Sequence, residues 1–354
     1  MTLRRREGRV AGIRGRPLTP ERREREGCAT ACSGEDAGAV AREVLRSTAM
    51  KYVLGIDAGG TKTRALLADS TGRVLASATG GGANLRTHGE LEVEKVLHAL
   101  AEEAEGSAGV RADALAVGIA GADRPDDHAV LRTILRRIGF KDRVVVTNDA
   151  RIAFVAGSPL RIGVALVCGT GSIAWGRNGR GDIARAGGWG WHLGDEGSGF
   201  WIGERALRAV MRAGDGRGPR TLLESSALAK FRLGRIEEIV RCVYDAEYPR
   251  HEISLFAVAV AQAALAGDAV ASEILREAAG ELALAASSVV ARLGLAGSAY
   301  DIVLSGGTFG ALPLLREEVV RAVSFPGASV FPLAEEPAMG AVRLAIEALS
   351  DSNG

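Results

Sequence analysis

Two strand–turn–strand segments constrain the fold of this chain more than any other feature. The first is KYVLGIDAGGTKTRALLADSTGR (51–73), and the second, about 110 residues later, is IGVALVCGTGSIAWGRNGRGDI (162–183). Each places an apolar run, a turn of glycine and threonine, a second apolar run and a further turn in the same order, without repeating the letters. Such a repeated layout predicts two related halves that face one another, each with one glycine–threonine hairpin.

After Met50, short apolar runs alternate with longer helical patterns, and this alternation indicates an α/β protein. The predicted strands are 52–57, 64–69, 114–119 and 144–146, with a last strand at 301–307. The predicted helices are 90–105, 127–138 and 337–349, and helical periodicity dominates 198–296.

The length of 354 residues favours two lobes over one domain. We predict an N-terminal lobe at 50–133 and a C-terminal lobe at 134–336 that carries a helical insertion. Residues 337–349 are predicted to form a closing helix that packs back on the N-terminal lobe.

Residues 1–49 differ in composition from the rest of the chain. They contain eleven arginines and seven acidic residues but no Phe, Trp or Tyr, so they cannot bury a core. They lack the apolar region of a secretory signal, and their acids are not typical of a transit peptide. Because Met50 begins MKYVLGID, which has the pattern of a first strand, we interpret 1–49 as a disordered basic extension or a translated upstream region. The alternative is a regulatory or binding arm.

The overall charge and the cysteines exclude several classes of function. A net charge of +1 argues against a general nucleic-acid or anionic-membrane partner. The four cysteines form no Cys-x-x-Cys pair, so no zinc or iron–sulfur framework is predicted. The longest uncharged apolar stretch, at 253–267, is too short to span a bilayer. The protein is therefore predicted to be soluble and cytoplasmic.

Both turns have the composition of a phosphate site. Backbone N–H groups satisfy phosphate charge when no side chain blocks the approach, and a threonine or serine hydroxyl adds a donor. The candidate ATP-binding residues of the turns are Gly59, Gly60, Thr61, Lys62, Thr63, Gly169, Thr170, Gly171 and Ser172. A single glycine-rich turn is usually only a hairpin, but two at matching places predict a clamp for a polyphosphate.

Other nucleotide motifs are absent from the sequence. Nothing matches G-x-x-x-x-G-K-[ST], and no G-x-G-x-x-G opens a helix after the first strand, so neither a P-loop nor a Rossmann dinucleotide site is supported. Asp57, close to the glycines of the first turn, is placed to hold Mg²⁺ through water, since this ion is bound by few carboxylates and keeps its waters. The alternative for Asp57 is a strand-end acid that caps the turn.

Four motifs in order resemble the sugar kinase/heat-shock ATPase/actin superfamily and, within it, the N-acetylglucosamine kinase-like group of the BadF/BadG/BcrA/BcrD ATPase family. IDAGGTKT (56–63) and LVCGTGSIAWG (166–176) resemble its two phosphate motifs, and VLSGGTFG (303–310) resembles its adenosine motif. GGWGWHLGDEGSGFWIG (187–203), here called the signature stretch, is similar to the most distinctive segment of the family.

This resemblance covers about residues 51–348. It implies two ribonuclease-H-like lobes with ATP and Mg²⁺ in the cleft between them, and Gly306 and Gly307 against the nucleotide. It also implies a homodimer.

Two acids are candidates for the base that accepts a proton from the sugar hydroxyl. Asp123 lies in AGAD (120–123), which resembles the Ser-Gly-Gly-Asp stretch of N-acetylglucosamine kinases, with Ala in place of Ser and of the second Gly. Asp149 resembles the aspartate of the Asn-Asp pair in related hexose kinases. We predict that Asp123 is the base and Asp149 a substrate or magnesium-side ligand. The alternative for each is a helix N-cap.

The resemblance also implies an acceptor site. Asn84, in GGGANLRTHG, is similar to the sugar-contacting asparagine of the family. An amide suits this role because it can both donate to and accept from sugar hydroxyls. Further predicted substrate residues, all in the signature stretch, are Gly188, Trp189, Asp195 and Glu196. Of Trp189, Trp191 and Trp201, at least two are expected to pack in the core or between lobes. His192 is given no role.

The predicted function is an ATP-dependent kinase that phosphorylates the 6-hydroxyl of N-acetylglucosamine. Glucosamine kinase is a close alternative, because the sequence does not show whether the pocket admits the N-acetyl group. An ATPase that activates a radical acyl-CoA dehydratase would need cysteines for an iron–sulfur cluster, and a sugar sensor without catalysis would not need Asp57, Asp123 and Asp149.

Overall fold

The computed structural model describes residues 50–122, 124–244 and 250–350. The predicted N-terminal extension and the candidate base Asp123 lie outside the described residues. The first sheet contains β1 (Tyr52–Ala58), β2 (Lys62–Asp69), β3 (Val74–Gly81), β4 (Ala114–Ile119) and β5 (Val144–Thr147). Its order is β3-β2-β1-β4-β5, with β1, β4 and β5 parallel and β1, β2 and β3 antiparallel.

A second sheet repeats this topology. It contains β6 (Gly163–Cys168), β7 (Ser172–Arg177), β8 (Ile183–Gly187), β9 (Tyr300–Ser305) and β10 (Ala328–Pro332). Its order is β10-β9-β6-β7-β8, with β6, β9 and β10 parallel and β6, β7 and β8 antiparallel. The predicted α/β fold with two related lobes is therefore confirmed.

Helices cover and connect the sheets. Those of the first half are α1 (Leu85–Ala108), α2 (Pro125–Arg137) and α3 (Asp149–Gly157). The segment between β8 and β9 contains α4 (Gly199–Gly214), α5 (Leu223–Phe231), a 3₁₀ turn (Ile236–Glu238), α6 (Ile239–Tyr244), α7 (Arg250–Leu255), α8 (Ala257–Leu265) and α9 (Ala269–Leu293). The last three are α10 (Gly307–Ala311), α11 (Pro313–Ala322) and α12 (Pro337–Ser350).

Helix α1 begins earlier than the periodicity predicts. Asn84 caps it by accepting a hydrogen bond from the backbone N–H of Arg86, and Gly89 interrupts it with φ 75° and ψ 164°. The predicted start at residue 90 is therefore the start of the part beyond this kink, where the apolar face becomes regular.

Strand β10 is absent from the sequence prediction, which ended the strands at 301–307. This prediction is wrong in two respects, because β9 ends at Ser305 and β10 follows it. Strand β10 is an edge strand whose residues are half-buried or exposed, and it ends in Pro332. An edge strand without a buried apolar face leaves little periodicity in the sequence.

The core has three parts. One lies between the first sheet and α1 and α2, and a second lies between the second sheet and the helical segment. The third contains side chains of β1, β6 and β7 together with those of α3 and α12. Helix α12 packs on β1, β4 and α3, while α3 also packs on β6 and β7. The helix that follows each sheet therefore lies between the two lobes.

Strand pairing also bears on the predicted lobe boundary. Strand β5 pairs with β4 in parallel, so the first sheet extends to Thr147. A division after residue 133 cuts through this sheet, whereas a division after residue 147 follows the strand pairing. The bounds of the lobes stay a prediction.

Candidate active site

The carboxyl ends of three parallel strands form a row in the first lobe. Asp57 of β1 lies opposite Gly118 of β4, and Gly118 lies opposite Thr147 of β5. Asp149 follows Thr147 by two residues and is the first residue of α3. Because the carboxyl ends of parallel strands meet at one edge, this row brings Asp57 and Asp149 to the same edge of the sheet.

At this edge of the sheet, the pKa of Asp57 differs strongly from that of an ordinary aspartate. Burial, together with repulsion from Asp149 and Glu336, raises the pKa of Asp57 to about 7, and Lys62 only partly opposes the rise. Carboxylates that repel one another in this way are stabilised by a divalent cation. The donor set therefore fits the Mg²⁺ site predicted from the sequence.

Sequence reasoning did not identify Glu336. Its carboxylate accepts a hydrogen bond from Arg64 Nε at 3.0 Å, and Arg64 lies opposite Asp57 in the β1–β2 hairpin. Arg64 also donates to Thr79 Oγ1 at 2.8 Å. The one sequence signal for Glu336 is an acid directly before Pro337, where α12 begins.

The helix-cap alternative for Asp149 is not what the structure shows. The N-cap of α3 is Asn148, whose side chain accepts a hydrogen bond from the backbone N–H of Arg151 at 2.8 Å. Asp149 Oδ1 accepts from the backbone N–H of Ala150 at 2.9 Å.

The first glycine–threonine turn is open on one side. A Cβ atom added to Gly60 would have no heavy atom within 4 Å, and Thr61 and Lys62 are exposed. Thr63 behaves differently, because it is fully buried and its hydroxyl donates to the carbonyl of Gly81 at 2.7 Å. The hydrogen of the Thr63 hydroxyl is therefore used within the sheet, and the contact of Thr63 with ATP stays a prediction.

The second turn has an open part and a closed part. A Cβ atom on Gly169 would have nothing within 4 Å, whereas a Cβ on Gly171 would lie 2.7 Å from Asp195 Oδ2. Thr170 is half-buried. Ser172 is buried, and its hydroxyl donates to the carbonyl of Glu196 at 2.8 Å. The Ser172 hydroxyl, predicted to bind ATP, is thus also committed to a protein carbonyl.

The signature stretch packs directly on the second turn. The backbone N–H of Gly199 donates to the carbonyl of Gly169 at 2.9 Å, and that of Phe200 donates to the carbonyl of Thr170 at 3.3 Å. The Cys168 thiol lies 3.5 Å from the carbonyl of Gly197. Two predicted sites, the phosphate turn and the signature stretch, are therefore one hydrogen-bonded unit.

Asp195 lies at the centre of this unit. Its backbone has φ 58°, which is rare for a residue other than glycine. Burial raises the pKa of Asp195, although the backbone N–H groups of Ser172 and Gly190 donate to it and Arg250 is close. Gly171 leaves the room that the Asp195 carboxylate occupies.

The predicted adenosine motif also contacts the second turn. Gly306 has φ 109°, and a Cβ atom there would collide with the backbone of Cys168, so the protein itself requires this glycine. A Cβ atom on Gly307 would have nothing within 4 Å. Thr308, which sequence reasoning did not single out, donates from its hydroxyl to the carbonyl of Gly169 at 2.8 Å.

Asn84 connects α1 to the loop that leads to Asp123. Its Oδ1 accepts from the backbone N–H of Arg86 at 2.9 Å, and its Nδ2 donates to the carbonyl of Ala120 at 2.9 Å. His128 Nε2 lies 2.9 Å from the carbonyl of Ala122 in the same loop. Asp123 itself lies outside the described residues, so its predicted role stays a prediction.

The aromatic residues of the signature stretch are more exposed than predicted. Trp189 is 56% exposed and Trp191 41% exposed, and only Trp201 packs against the core of its lobe. Of these three residues, at least two of which are expected to pack in the core or between lobes, only Trp201 is therefore found against a core, and packing of the other two between lobes stays a prediction. Gly188, with φ 69°, packs against the Ile173 side chain.

Each of these tryptophans has a cation beside it. The guanidinium carbon of Arg185 lies 4.0 Å from the centroid of the Trp189 ring, and that of Arg250 lies 5.5 Å from Trp191. Arg205 lies 4.7 Å from Trp201. The exposed Trp189 ring is therefore held in place by Arg185 on one side.

The described residues contain no group of three or more His, Cys, Asp or Glu side chains that could hold a metal ion between them. Within the same residues, no helix has the length and apolar character that a membrane span requires.

Comparison with known proteins identifies relatives over most of the chain. The sequence model of the BadF/BadG/BcrA/BcrD ATPase family matches residues 54–345. An N-acetylmuramic acid/N-acetylglucosamine kinase of Clostridium acetobutylicum is 35% identical over 301 residues, which are 84% of this chain and 98% of that protein. An N-acetyl-D-glucosamine kinase of Dictyostelium discoideum is 31% identical over 312 residues, which are 83% and 97% of the two chains.

Solved structures share the fold. A candidate N-acetylglucosamine kinase of Chromobacterium violaceum matches with a TM-score of 0.65 and 26% identity, over 84% of this chain and 99% of that one. A ROK family glucokinase of Streptomyces griseus, solved with glucose and AMPPNP, matches with a TM-score of 0.53 and 19% identity, over 85% and 100%. The second likeness is one of fold alone.

Proposed function

Because the chain belongs to the BadF/BadG/BcrA/BcrD ATPase family, we propose that it transfers the terminal phosphoryl group of ATP to the 6-hydroxyl of N-acetylglucosamine. The observation that carries this proposal is the row of carboxyl strand ends that brings Asp57 and Asp149 to one edge of the first sheet. Two relatives that match over more than four fifths of the chain are N-acetylglucosamine kinases, which supports the same acceptor.

The nucleotide site is proposed to lie in the cleft between the lobes, with one glycine turn on each side. Gly60 and Gly307 have open space where a Cβ atom would be, which leaves room for a phosphate or an adenosine group to approach the backbone. Gly169 has the same open space, but its N–H donates to the carbonyl of Gly171 at 2.8 Å within the turn. Thr61, Lys62 and Thr170 provide the side-chain contacts, since Thr63 and Ser172 donate to protein carbonyls.

Asp57 is proposed to hold Mg²⁺ through water. When bound, the ion would neutralise phosphate charge during transfer. Burial is the largest cause of the raised pKa of Asp57, and the repulsion from Asp149 and Glu336 that adds to it is the part that a cation would relieve.

Asp123 is proposed as the base that accepts the proton from the sugar hydroxyl, with Asp149 on the magnesium and substrate side. Asp149 is among the groups that raise the pKa of Asp57, which favours its assignment to the cation rather than to proton transfer. Asn84 and His128 hold the loop before Asp123 by its carbonyls, which supports a fixed position for this loop.

The acceptor is proposed to bind beside the signature stretch. The exposed ring of Trp189 offers an apolar face for a sugar ring, and Asp195 and Glu196 offer oxygens for ring hydroxyls. Asn84 has one remaining amide hydrogen and one remaining lone pair for a hydroxyl, because its other groups are used by α1 and Ala120.

Two other amino sugars are specific alternatives. One relative carries N-acetylmuramic acid in its name, and a glucosamine kinase of Vibrio cholerae is 29% identical over 236 residues. The test is an ADP-release assay with N-acetylglucosamine, N-acetylmuramic acid, glucosamine, N-acetylmannosamine and glucose. We expect the highest kcat/KM for N-acetylglucosamine, and no turnover of any amino sugar would disprove the proposal.

Two variants test the acids in the same assay. Asp123→Asn is expected to lower kcat by about 10²–10⁴-fold, which is the usual contribution of a general base. Asp149→Asn is expected to raise the Mg²⁺ concentration needed for half-maximal rate. If Asp123→Asn keeps nearly full turnover, the base assignment is wrong. Phosphorus NMR of the product identifies the hydroxyl that is phosphorylated.

The homodimer and the cytoplasmic location stay predictions. Sedimentation velocity of the purified protein tests the first, and fractionation of its native cell tests the second.

A further inference from the structure

We propose that amino-sugar binding and ATP binding are coupled through the second glycine turn, and that the Ser172 hydroxyl is the positioning group that links them. This inference rests on the proposed function, because it needs an acceptor that binds at the signature stretch. It adds a regulation of the site that neither the motifs nor the relatives assign.

The Ser172 hydroxyl can make only one donated hydrogen bond, and its acceptor lies in the signature stretch. A serine hydroxyl has a single hydrogen to donate. In Ser172 this hydrogen is directed at the carbonyl of Glu196 at 2.8 Å, and the side chain is only 8% exposed. A phosphate oxygen needs a donor, so Ser172 cannot serve a phosphate while it holds Glu196. Its hydroxyl therefore fixes the signature stretch relative to the turn.

Backbone hydrogen bonds also connect the signature stretch to the second turn. Gly199 and Phe200 donate backbone hydrogen bonds to the carbonyl of Gly169, where a Cβ atom would meet open space, and to that of the half-buried Thr170. A shift of the signature stretch thus moves the carbonyls of the turn, and with them the direction of the neighbouring N–H groups.

Asp195 of the signature stretch contacts the second turn directly. Its carboxylate lies against the Cα of Gly171 and accepts from the backbone N–H of Ser172. The same residue is a predicted ligand of the sugar hydroxyls. A sugar that engages Asp195 therefore acts on a group that already contacts the phosphate turn.

The first turn provides the contrast within the molecule. Thr63 of β2 pairs with the last residue of β1, as Ser172 of β7 pairs with the last residue of β6, and both follow their glycine turns. Thr63 donates to Gly81 in the neighbouring strand of its own sheet, so that bond stays within one lobe and reaches no acceptor residue. The first turn does contact the segment before Asn84, through the backbone N–H of Ala83 and the carbonyl of Gly59 at 3.0 Å. A buried hydroxyl links a turn to a predicted acceptor residue at Ser172 and not at Thr63, so the hydroxyl-dependent coupling is assigned to the second turn.

The coupling between the two ligands can be measured as a change in the dissociation constant of the nucleotide. If sugar binding orders the second turn, the dissociation constant of a nucleotide falls when sugar is present, and the two ligands influence each other by the same factor. For the wild-type protein we expect this coupling factor to be at least about fivefold, the lower end of the usual range.

The test is isothermal titration of a non-hydrolysable ATP analogue, with Mg²⁺ present, in the absence and in the presence of saturating N-acetylglucosamine. Ser172→Ala removes the hydroxyl, and Ser172→Thr keeps it. Ser272→Ala is the matched control, because the Ser272 hydroxyl also donates to a backbone carbonyl at 2.8 Å, that of Asp268 in the first turn of α9.

We expect Ser172→Ala to reduce the coupling factor to less than about twofold, while Ser172→Thr and Ser272→Ala keep most of it. A wild-type coupling factor of one would overturn the inference, as would an unchanged factor in Ser172→Ala. If Ser172→Ala does not fold, the wild-type measurement still tests the coupling, and Gly171→Ala, whose Cβ atom would lie 2.7 Å from Asp195 Oδ2, tests the route through the second turn. If wild type binds and phosphorylates N-acetylglucosamine without coupling, only this inference fails, whereas absence of sugar binding and turnover removes the proposed function itself.

Discussion

The two glycine turns follow equivalent strands of two sheets with one topology, yet they are held in different ways. Thr63 and Ser172 each pair with the last residue of the first strand of their hairpin, are buried, and donate their hydroxyl hydrogen to a carbonyl at 2.7 and 2.8 Å. The acceptor of Thr63 belongs to the adjoining strand, and the acceptor of Ser172 belongs to the signature stretch. The two hairpins therefore share their topology and a buried hydroxyl, but only the hydroxyl of Ser172 contacts the signature stretch.

The charges around the turns differ as well. Asp57, Glu336 and Lys62 surround the first turn, and the repulsion among the acids is visible in the pKa of Asp57. Next to the second turn lies Asp195, which accepts backbone hydrogen bonds. The first turn is thus suited to a cation and the second to the positioning of the acceptor loop.

The largest effect is expected from a Cβ atom in the closed part of the second turn. Gly171→Ala would place this atom 2.7 Å from Asp195 Oδ2, so the signature stretch must move away. We expect kcat/KM for N-acetylglucosamine to fall by about 10²-fold, the usual result of a 1 Å misplacement. Steady-state kinetics provide the measurement.

Gly60→Ala is the matched change in the first turn, where a Cβ atom meets nothing within 4 Å. Its fall in kcat/KM is expected to stay below about tenfold and to arise from the KM for ATP. Equal losses in the two variants would contradict the asymmetry of the turns.

A smaller effect is expected from the buried hydroxyl of the first turn. Thr63→Val leaves the Gly81 carbonyl without its donor, at a cost of about 1–3 kcal/mol in the free energy of unfolding. Urea denaturation measures this cost, with Thr63→Ser as the control that keeps the hydroxyl. Because Thr63 does not reach the signature stretch, the coupling factor between sugar and nucleotide should remain that of wild type. A coupling factor that collapses in Thr63→Val would remove the distinction between the turns.

The burial of Asp57 and the acids near it predict that the stability of the ligand-free protein depends on pH. Burial and the neighbouring acids raise the pKa of Asp57 from its ordinary 3.8 to about 7 in the folded state, so between about pH 4 and about pH 7 the folded state holds a proton that the unfolded state has lost. Asp57 therefore destabilises the fold increasingly as pH rises from about 4 to about 7. Asp57→Asn should raise Tm by about 2 °C or more at pH 8 and leave it unchanged near pH 4. A lower Tm for this variant at pH 8 would show that the carboxylate stabilises the fold.

The smallest effect is expected at Glu336. Its ion pair with Arg64 is half exposed, so Glu336→Gln should change the free energy of unfolding by at most about 1 kcal/mol. The variant should also lower the pKa of Asp57, because one repelling charge is lost. Denaturation at several pH values reports both quantities, and a loss of more than about 2 kcal/mol would mean that this pair has a larger role in stability than an exposed ion pair.

The sequence predicted the features that depend on local pattern. The repeated hairpins, four of the five strands of the first sheet and the acids at strand ends all carry apolar periodicity or residue types that chemistry requires. Asp57 and Asp149 could be placed together because parallel strands end at one edge.

Features that depend on packing could not be predicted. Thr63 and Ser172 have the composition of phosphate ligands, and only the structure shows that their hydroxyls face protein carbonyls. Gly171 and Gly306 looked like ligand glycines, but each makes room for a neighbouring part of the protein. Strand β10 left no periodicity because it is an edge strand.

The most direct test of the account is transfer of label from γ-³²P-ATP to N-acetylglucosamine by the purified wild-type protein with Mg²⁺. The account predicts that the label appears in a sugar phosphate and that its appearance depends on the sugar. Label that remains in ATP, or that appears only as inorganic phosphate whether or not the sugar is present, would contradict it.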